Sequence, residues 1–174
     1  VNIWNEVSLN GGLRYSQDQG KKLYRKSMYT YWKRSAPMPN MLIFDAPSRE
    51  KCVVQRARTN TPLQALVTLN DPQFVEAARA FAERLIRSKN DDEARIDLAY
   101  RLATARRANP RETLLLMTML ADQRRRFGQD PESANKYLSV GELGRDESID
   151  PIEHAAWTVI GQMILNLDET LTRG

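Results

Sequence analysis

Apolar residues recur every three or four positions along much of this chain, which is the spacing of one face of an α-helix. The clearest stripe follows Pro151 and contains Ile152, Ala155, Ala156, Val159, Ile160, Met163, Ile164 and Leu167. A second stripe follows Pro72 and contains Phe74, Ala78, Phe81 and Leu85, with charged residues on the opposite side. No segment shows the alternation of a half-buried strand. The pattern therefore predicts an all-α protein.

The same spacing predicts further helices. They span residues 18–34, 92–104, 114–126 and 131–139. In the first, Tyr24, Met28 and Tyr31 form the apolar side, and lysines and arginines occupy the other side. The segment 114–120 is apolar nearly all round, which predicts a central helix.

Proline marks most of the predicted helix starts. A residue that accepts a hydrogen bond from the first turn, followed by Pro at the first helical position, is a favourable way to begin a helix. Five such pairs occur: Thr61-Pro62, Asp71-Pro72, Asn109-Pro110, Asp130-Pro131 and Asp150-Pro151. Gln64, Glu112 and Glu153 each lie three residues after a cap, where a capping box predicts Gln or Glu.

Together these elements predict an all-α fold, an irregular bundle of about six helices with a long Pro-containing loop near residues 35–60. The length of 174 residues favours one helical domain, 1–174. The chain begins with Val rather than Met, so we expect it to be the C-terminal fragment of a larger protein. No apolar run reaches the length of a membrane span.

Charge is distributed unevenly along the chain. Residues 14–58 contain eleven Lys and Arg against three acidic residues, a local net charge of +8, whereas the whole chain carries +4. The rest of the chain is therefore mildly acidic. This asymmetry favours an acidic partner for the basic N-terminal third.

The single cysteine and single histidine limit the cofactor chemistry. Cys52 has no internal disulfide partner, and together with His154 it is too little for a zinc site. The Cys-x-x-Cys-His pattern of covalent haem attachment does not occur. We therefore expect no cofactor in this domain and no metal site.

Several sequence segments resemble the planctomycete-specific C-terminal domain of unknown function, the PSD family. The similar segments are residues 24–34 (YRKSMYTYWKR), 44–47 (FDAP), 56–66 (RARTNTPLQAL) and 69–79 (LNDPQFVEAAR). Residues 106–112 resemble the Arg-x-Pro-x-x-x-Glu element of that family, with Ala108 where proline is usual. The closing residues 165–169 resemble the usual end of its members.

The resemblance implies a large, exported protein, hence an extracytoplasmic location in the periplasm or cell envelope. It also implies that haem is possible in a missing upstream domain, because members often carry a cytochrome-c-like domain there. The family has no established reaction, so the resemblance supplies no catalytic residues.

One polar segment next to a helix start is the candidate binding site. It consists of Arg56, Arg58, Asn60, Gln73 and Glu76. The arginines are suited to a carboxylate or sulfate of a partner, and helix N-termini favour anions. The alternative interpretation is structural: Thr61 and Asp71 cap helices, and the arginines hold the long loop.

Carboxylate pairs raise the alternative that the chain is part of a polysaccharide-active enzyme. Glu76 with Asp71, or Asp168 with Glu169, would be the acid and base. Ordinary surface or capping roles explain the same residues. His154 falls in the first turn of a helix, where the helix dipole disfavours its protonation, and we interpret it as a packing or surface residue rather than a catalytic one.

Tyrosines and Trp32 alternate with lysines and arginines in residues 22–34, a composition that also occurs in nucleic-acid-binding proteins. Because no helix-turn-helix signature accompanies it, nucleic-acid binding is a second alternative. The leading hypothesis is a non-catalytic helical interaction module, without enzyme activity in this isolated domain. Its partners would be upstream domains of the same protein or an acidic protein or glycan.

Overall fold

The computed structural model describes residues 16, 18–32, 37–55, 57 and 59–172, and every regular element within them is helical. The predicted all-α fold is therefore confirmed. The chain divides into two compact units, residues 1–59 and 60–174. The prediction of a single domain stays a prediction.

The first unit contains two turns of 3₁₀-helix, Gly20–Tyr24 and Ser27–Tyr29, and one short α-helix, α1 (Pro39–Ile43). The predicted helix over 18–34 is wrong for its described part. Gly20 has φ +59°, and Arg25 is extended, with φ −91° and ψ 157°. Both conformations interrupt the i to i−4 hydrogen-bond ladder of an α-helix. The predicted loop at 35–60 is interrupted by α1.

Residues 60–172 form the second unit and contain seven α-helices. They are α2 (Pro62–Asn70), α3 (Pro72–Ser88), α4 (Asp92–Thr104), α5 (Pro110–Gln129), α6 (Pro131–Leu138), α7 (Pro151–Leu165) and α8 (Asp168–Leu171). Six of these helices correspond to segments with a predicted start or helical stripe. The four-residue α8 was not predicted from the apolar pattern.

All five predicted caps are confirmed. Each cap side chain accepts a hydrogen bond from the backbone of the first turn, as Asp71 does from Gln73 N at 2.9 Å and Asn109 does from Glu112 N at 2.9 Å. The capping boxes at Thr61 and Asn109 are complete. The predicted box at Asp150 is not formed, because the Glu153 carboxylate bonds to arginines and to Trp157 instead.

Helix α7 is the central helix of the second unit. Its Trp157 and Ile160 are fully buried, and they belong to one core with Leu85 of α3 and Leu120 of α5. Gly161 permits a close approach of α3, since a Cβ there would lie 3.0 Å from the Ala78 carbonyl oxygen. Burial of such large side chains contributes roughly 1.5 to 3 kcal/mol each.

Helix α5 was predicted to be central, and that prediction is wrong. It buries Leu116, Leu120 and Phe127 on one side, while Leu114 and Leu115 are exposed. An apolar run therefore does not by itself specify burial on every face. None of the helices within the described ranges combines the length and apolar character that a bilayer crossing requires.

Helix α2 has the reverse of the usual amphipathic arrangement. Its buried residues are the polar Gln64 and Thr68. Thr68 Oγ1 donates to Asn166 Oδ1 at 2.6 Å, and Gln162 Nε2 donates to the Leu69 carbonyl oxygen at 3.1 Å. The exposed side carries three leucines: Leu63, Leu66 and Leu69. Hydrogen bonds, rather than an apolar stripe, thus attach α2 to the C-terminal half of α7.

Candidate binding surface

Large apolar side chains and cations share an exposed surface in the first unit, which we call the basic-aromatic surface. It consists of Lys22, Tyr24, Arg25, Lys26, Met28 and Tyr29. The side chains of Tyr24, Met28 and Tyr29 are 54%, 69% and 66% exposed. Met28 and Tyr29 line one depression together, and exposed apolar groups that lie together on a folded protein commonly mark an interaction site.

The backbone explains why these residues are exposed. Side chains three apart eclipse one another in a 3₁₀ turn, and the extended Arg25 separates the two turns. The second turn is closed by a hydrogen bond from Tyr29 N to the Lys26 carbonyl oxygen, 2.9 Å long. The apolar residues therefore do not align as one buried helical stripe.

An open depression of about 370 Å³ lies within the basic-aromatic surface. Arg25, Lys26, Met28 and Tyr29 line it. Two cations beside two apolar side chains can receive an anionic group together with an adjoining apolar group. The arginine is suited to a two-point hydrogen bond with a carboxylate.

Further along the first unit, two contacts hold the segment that follows α1. The Asp45 carboxylate accepts hydrogen bonds from Thr59 N and Thr59 Oγ1, both at 2.8 Å. The Arg49 guanidinium carbon lies 4.7 Å from the centre of a Trp32 ring, a cation–π contact. Trp32, Asp45 and Thr59 belong to the segments that resemble the PSD family, and each of them makes a structural contact here.

Three of the five residues of the predicted binding site, Asn60, Gln73 and Glu76, lie among the described residues. Arg56 and Arg58 lie outside the described residues. Asn60 Nδ2 donates to Asp168 Oδ1 at 2.8 Å. Gln73 is exposed in the first turn of α3. A binding role for this set stays a prediction.

Glu76, the last predicted binding residue, is buried and its carboxylate is used within the chain. Its Oε2 accepts hydrogen bonds from Glu142 N and Leu143 N, at 2.5 and 2.9 Å. A Cβ on Gly141, which has φ +97°, would overlap this carboxylate. Glu76 therefore serves as an acceptor for the loop between α6 and α7.

Arg79, one turn further along α3, holds the other side of that loop. Its guanidinium donates to the carbonyl oxygens of Leu138 and Leu143, and to that of Val140 at 3.0 Å. Arg79 is 3% exposed. Backbone carbonyls satisfy the buried charge, which avoids much of the cost of an unpaired ion. The sequence pattern had placed this arginine on the solvent side of α3.

The carboxylates proposed for an enzyme site have structural partners. Asp71 caps α3, and Glu76 accepts from the loop backbone. Asp168 accepts from Asn60, and Glu169 forms an ion pair with Arg106 at 2.7 Å. These contacts agree with the capping and surface roles that the sequence offered as alternatives. They leave the polysaccharide hypothesis without an assigned acid and base.

His154 is completely buried in the first turn of α7, so of the packing and surface roles that the sequence left open it has the packing role. Its Nε2 lies 3.2 Å from the Arg79 carbonyl oxygen, and its Nδ1 is buried without a hydrogen-bond partner. Burial lowers the pKa of His154, and the charges of Arg79 and Arg145 lower it further. The imidazole is therefore neutral near pH 7.

A partly buried network of charges joins α4, α5 and α7, and no motif or spacing in the sequence predicts it. Arg124 donates two bonds to Asp92 and two to Glu153, at 2.6 to 3.0 Å. Arg95 bonds to the same two carboxylates, and Trp157 Nε1 donates to Glu153. These bonds raise the pKa of Arg124. Each charged group is paired, so the network is structural.

Arg106 and Glu112, the charged residues at the two ends of the family-like element 106–112, form an ion pair. Arg106 makes two parallel bonds to the Glu112 carboxylate, 2.7 and 2.8 Å long, and two more to Glu169. Its guanidinium also lies over the Tyr100 ring. The bond from Arg106 lowers the pKa of Glu112. Ala108 occupies the position usual for proline, and the pair forms with alanine there.

No three side chains of His, Cys, Asp or Glu are grouped as metal ligands in the part of the chain that the structure describes. Comparisons with curated proteins and with solved structures found no match. A comparison with family models gave one for PSD1, described as a protein of unknown function (DUF1553), which matches residues 5–120. The match includes the basic-aromatic surface, α2, α3 and the Arg106–Glu112 pair, and it ends before α6. The chain thus belongs to the PSD1 family.

Proposed function

We propose that this chain is a non-catalytic interaction module whose basic-aromatic surface binds an acidic surface of a protein. The observation that carries the proposal is the exposure of Tyr24, Met28 and Tyr29 beside the cations Arg25 and Lys26. Protein interfaces are enriched in tyrosine, methionine and arginine relative to the rest of the surface. Tyrosine and arginine are also prominent among the residues that dominate binding energy.

Charge supports an acidic partner. Residues 1–59 carry a net charge of +7, whereas residues 60–174 carry −3. A concentrated positive charge accelerates the encounter with an acidic surface and disfavours basic ones. The depression lined by Arg25 and Lys26 provides a place where a carboxylate can be held next to an apolar side chain.

The proposal favours a protein over the other anionic partners. A glycan or nucleic acid would be held mainly through its charges and through stacking on aromatic rings. Met28, the most exposed of the three apolar residues, has no ring for stacking but fills irregular apolar gaps well. The proposed setting is extracytoplasmic, beside a haem-bearing domain, and it rests on the family resemblance alone.

Charge reversal tests the proposal. The probe is a synthetic peptide of alternating Glu and Leu, titrated against the full chain by calorimetry at low salt. We expect Arg25→Glu with Lys26→Glu to weaken binding about tenfold or more, because two attractive contacts become repulsive. Arg56→Ala with Arg58→Ala measures the contribution of the predicted site by the same titration.

The matched control is Lys89→Glu with Lys136→Glu, which changes the charge by the same amount on exposed residues of the second unit. Equal losses in the two double variants would contradict the proposal, since net charge alone would then explain binding. Tighter binding of polygalacturonate or of a single-stranded oligonucleotide than of the peptide would also contradict it. Those outcomes favour the glycan and nucleic-acid alternatives respectively.

A further inference from the structure

A run of nine exposed residues, 47–55, follows α1 in the first unit. The run contains no helix or strand, and Val54 is fully exposed. It includes two basic residues, Arg49 and Lys51, and it precedes the boundary between the two compact units at residues 59 and 60. Exposed loop segments without regular structure are preferred sites of proteolysis.

We propose that residues 47–55 are a processing segment, at which an endoprotease selective for basic residues hydrolyses the bond between Lys51 and Cys52. The reaction consumes one water and leaves a carboxylate on Lys51 and an amine on Cys52. Arg49 is the less suitable of the two basic residues, because its guanidinium lies over the Trp32 ring.

The residues around Lys51 fit the requirement of a protease for an extended substrate. Proteins that bind an extended peptide form main-chain hydrogen bonds to it and accept alternate side chains in pockets. Residues 52–53 have no regular structure, and Val53 and Val54 are exposed on the far side of the bond. These features supply a basic residue before the bond and apolar residues after it.

Lys89 shows by contrast that exposure of a lysine is not sufficient. It is exposed at the C-terminal end of α3, but its backbone N–H donates to the Leu85 carbonyl oxygen at 3.2 Å. Its own carbonyl accepts from Arg95 Nε at 2.7 Å. Cleavage there requires both bonds to break first, together with the end of the helix.

Cleavage after Lys51 would break the chain connection between the basic-aromatic surface and the helical unit. Residues 1–51 would carry the basic-aromatic surface and a net charge of +5, and residues 52–174 would carry the helical unit and −1. The consequence for binding rests on the proposed function. The cleavage does not depend on the proposed function. Digestion of the chain tests the cleavage, and the peptide titration tests the proposed function.

Limited digestion of the full chain with a lysine-specific endoprotease tests the proposal, with intact mass spectrometry over time. We expect the first large product to be residues 52–174, and we expect Lys51→Gln to remove that product and to slow the loss of the intact chain. Lys89→Gln is the matched control and should leave the rate unchanged. A first cut after any other lysine would overturn the proposal, as would loss of the intact Lys51→Gln chain at the rate of the parent chain.

Discussion

Residues 18–34 and helix α3 have the same apolar period, but the described part of the first segment, residues 18–32, does not form an α-helix. In α3, Val75, Ala78, Ala82 and Leu85 are buried in or beside the core. In the first segment the residues at helical spacing are exposed, and the chain forms 3₁₀ turns. A helical period is therefore compatible with a buried face or with an exposed one.

The starts of the two segments account for much of the difference. Asp71 accepts a hydrogen bond from the first turn of α3, and Pro72 supplies a backbone already suited to a helix. The 3₁₀ turn at Gly20 begins after Gln19, whose side chain makes no capping bond. Glycine is also among the least favourable residues within a helix. The spacing of apolar residues therefore predicts a buried helix best when a capping residue begins the segment.

The largest expected effect comes from truncating a buried residue of α3. Leu85→Ala should lower the free energy of unfolding by about 2 to 5 kcal/mol, because Leu85 is fully buried and its removal leaves a cavity. Met28→Ala, in the segment with the same period, should change it by less than about 0.5 kcal/mol. Urea unfolding followed by circular dichroism measures both. A similar loss in the two variants would mean that Met28 is also a core residue.

A second, smaller effect is expected at the loop that α3 holds. Gly141→Ala should destabilise the protein by about 1 to 3 kcal/mol, since Gly141 has φ +97° and its new Cβ would overlap Glu76. Gly144→Ala is the matched control, because nothing lies within 4 Å of a Cβ there. Thermal unfolding of the two variants compares them. Equal melting temperatures would contradict the close contact between Glu76 and the loop.

The smallest effect expected is a pH dependence through His154. Its pKa is lowered in the folded protein, whereas an unfolded histidine has a pKa near 6.5. As pH falls through about 6.5, the unfolded chain gains a proton that the folded chain does not, so stability decreases. Between pH 7 and 6 the expected loss is below about 1 kcal/mol.

Urea unfolding at pH 7 and at pH 6 measures this loss, and His154→Gln provides the comparison because glutamine does not titrate. The lowered pKa values of Glu112 and Asp146 place their titration below this window. A variant that loses as much stability as the parent chain between the two pH values would assign the effect to another group.

The caps of the second unit could be predicted because they depend on neighbouring residues alone. Thr61 and Asn109 form complete boxes with residues three positions away, as local backbone geometry dictates. The contacts of Arg79 could not be predicted, because its partners lie 59 to 64 residues further along the chain. The same holds for the network of Arg124 with Asp92 and Glu153. Pairs of this kind arise from the packing of helices.

The candidate surface was predictable in part. The composition of residues 22–31 indicated cations among tyrosines, and the local charge indicated an acidic partner. The sequence also predicted that Tyr24 and Tyr31 would be on the apolar face of a helix, which the structure contradicts. Glu76 was assigned to binding for its place near a helix start, although a distant loop occupies its carboxylate.

Arg79 recognises the loop between α6 and α7 by its carbonyl groups, and every residue type has one. Substitutions among the side chains of residues 139–143 can thus accumulate while the path of the chain is kept. Glycine at 141 is the exception, since residues with a side chain rarely adopt its φ of +97°. The loop is therefore free to evolve new surface chemistry on a shape that one arginine and one glutamate on α3 maintain.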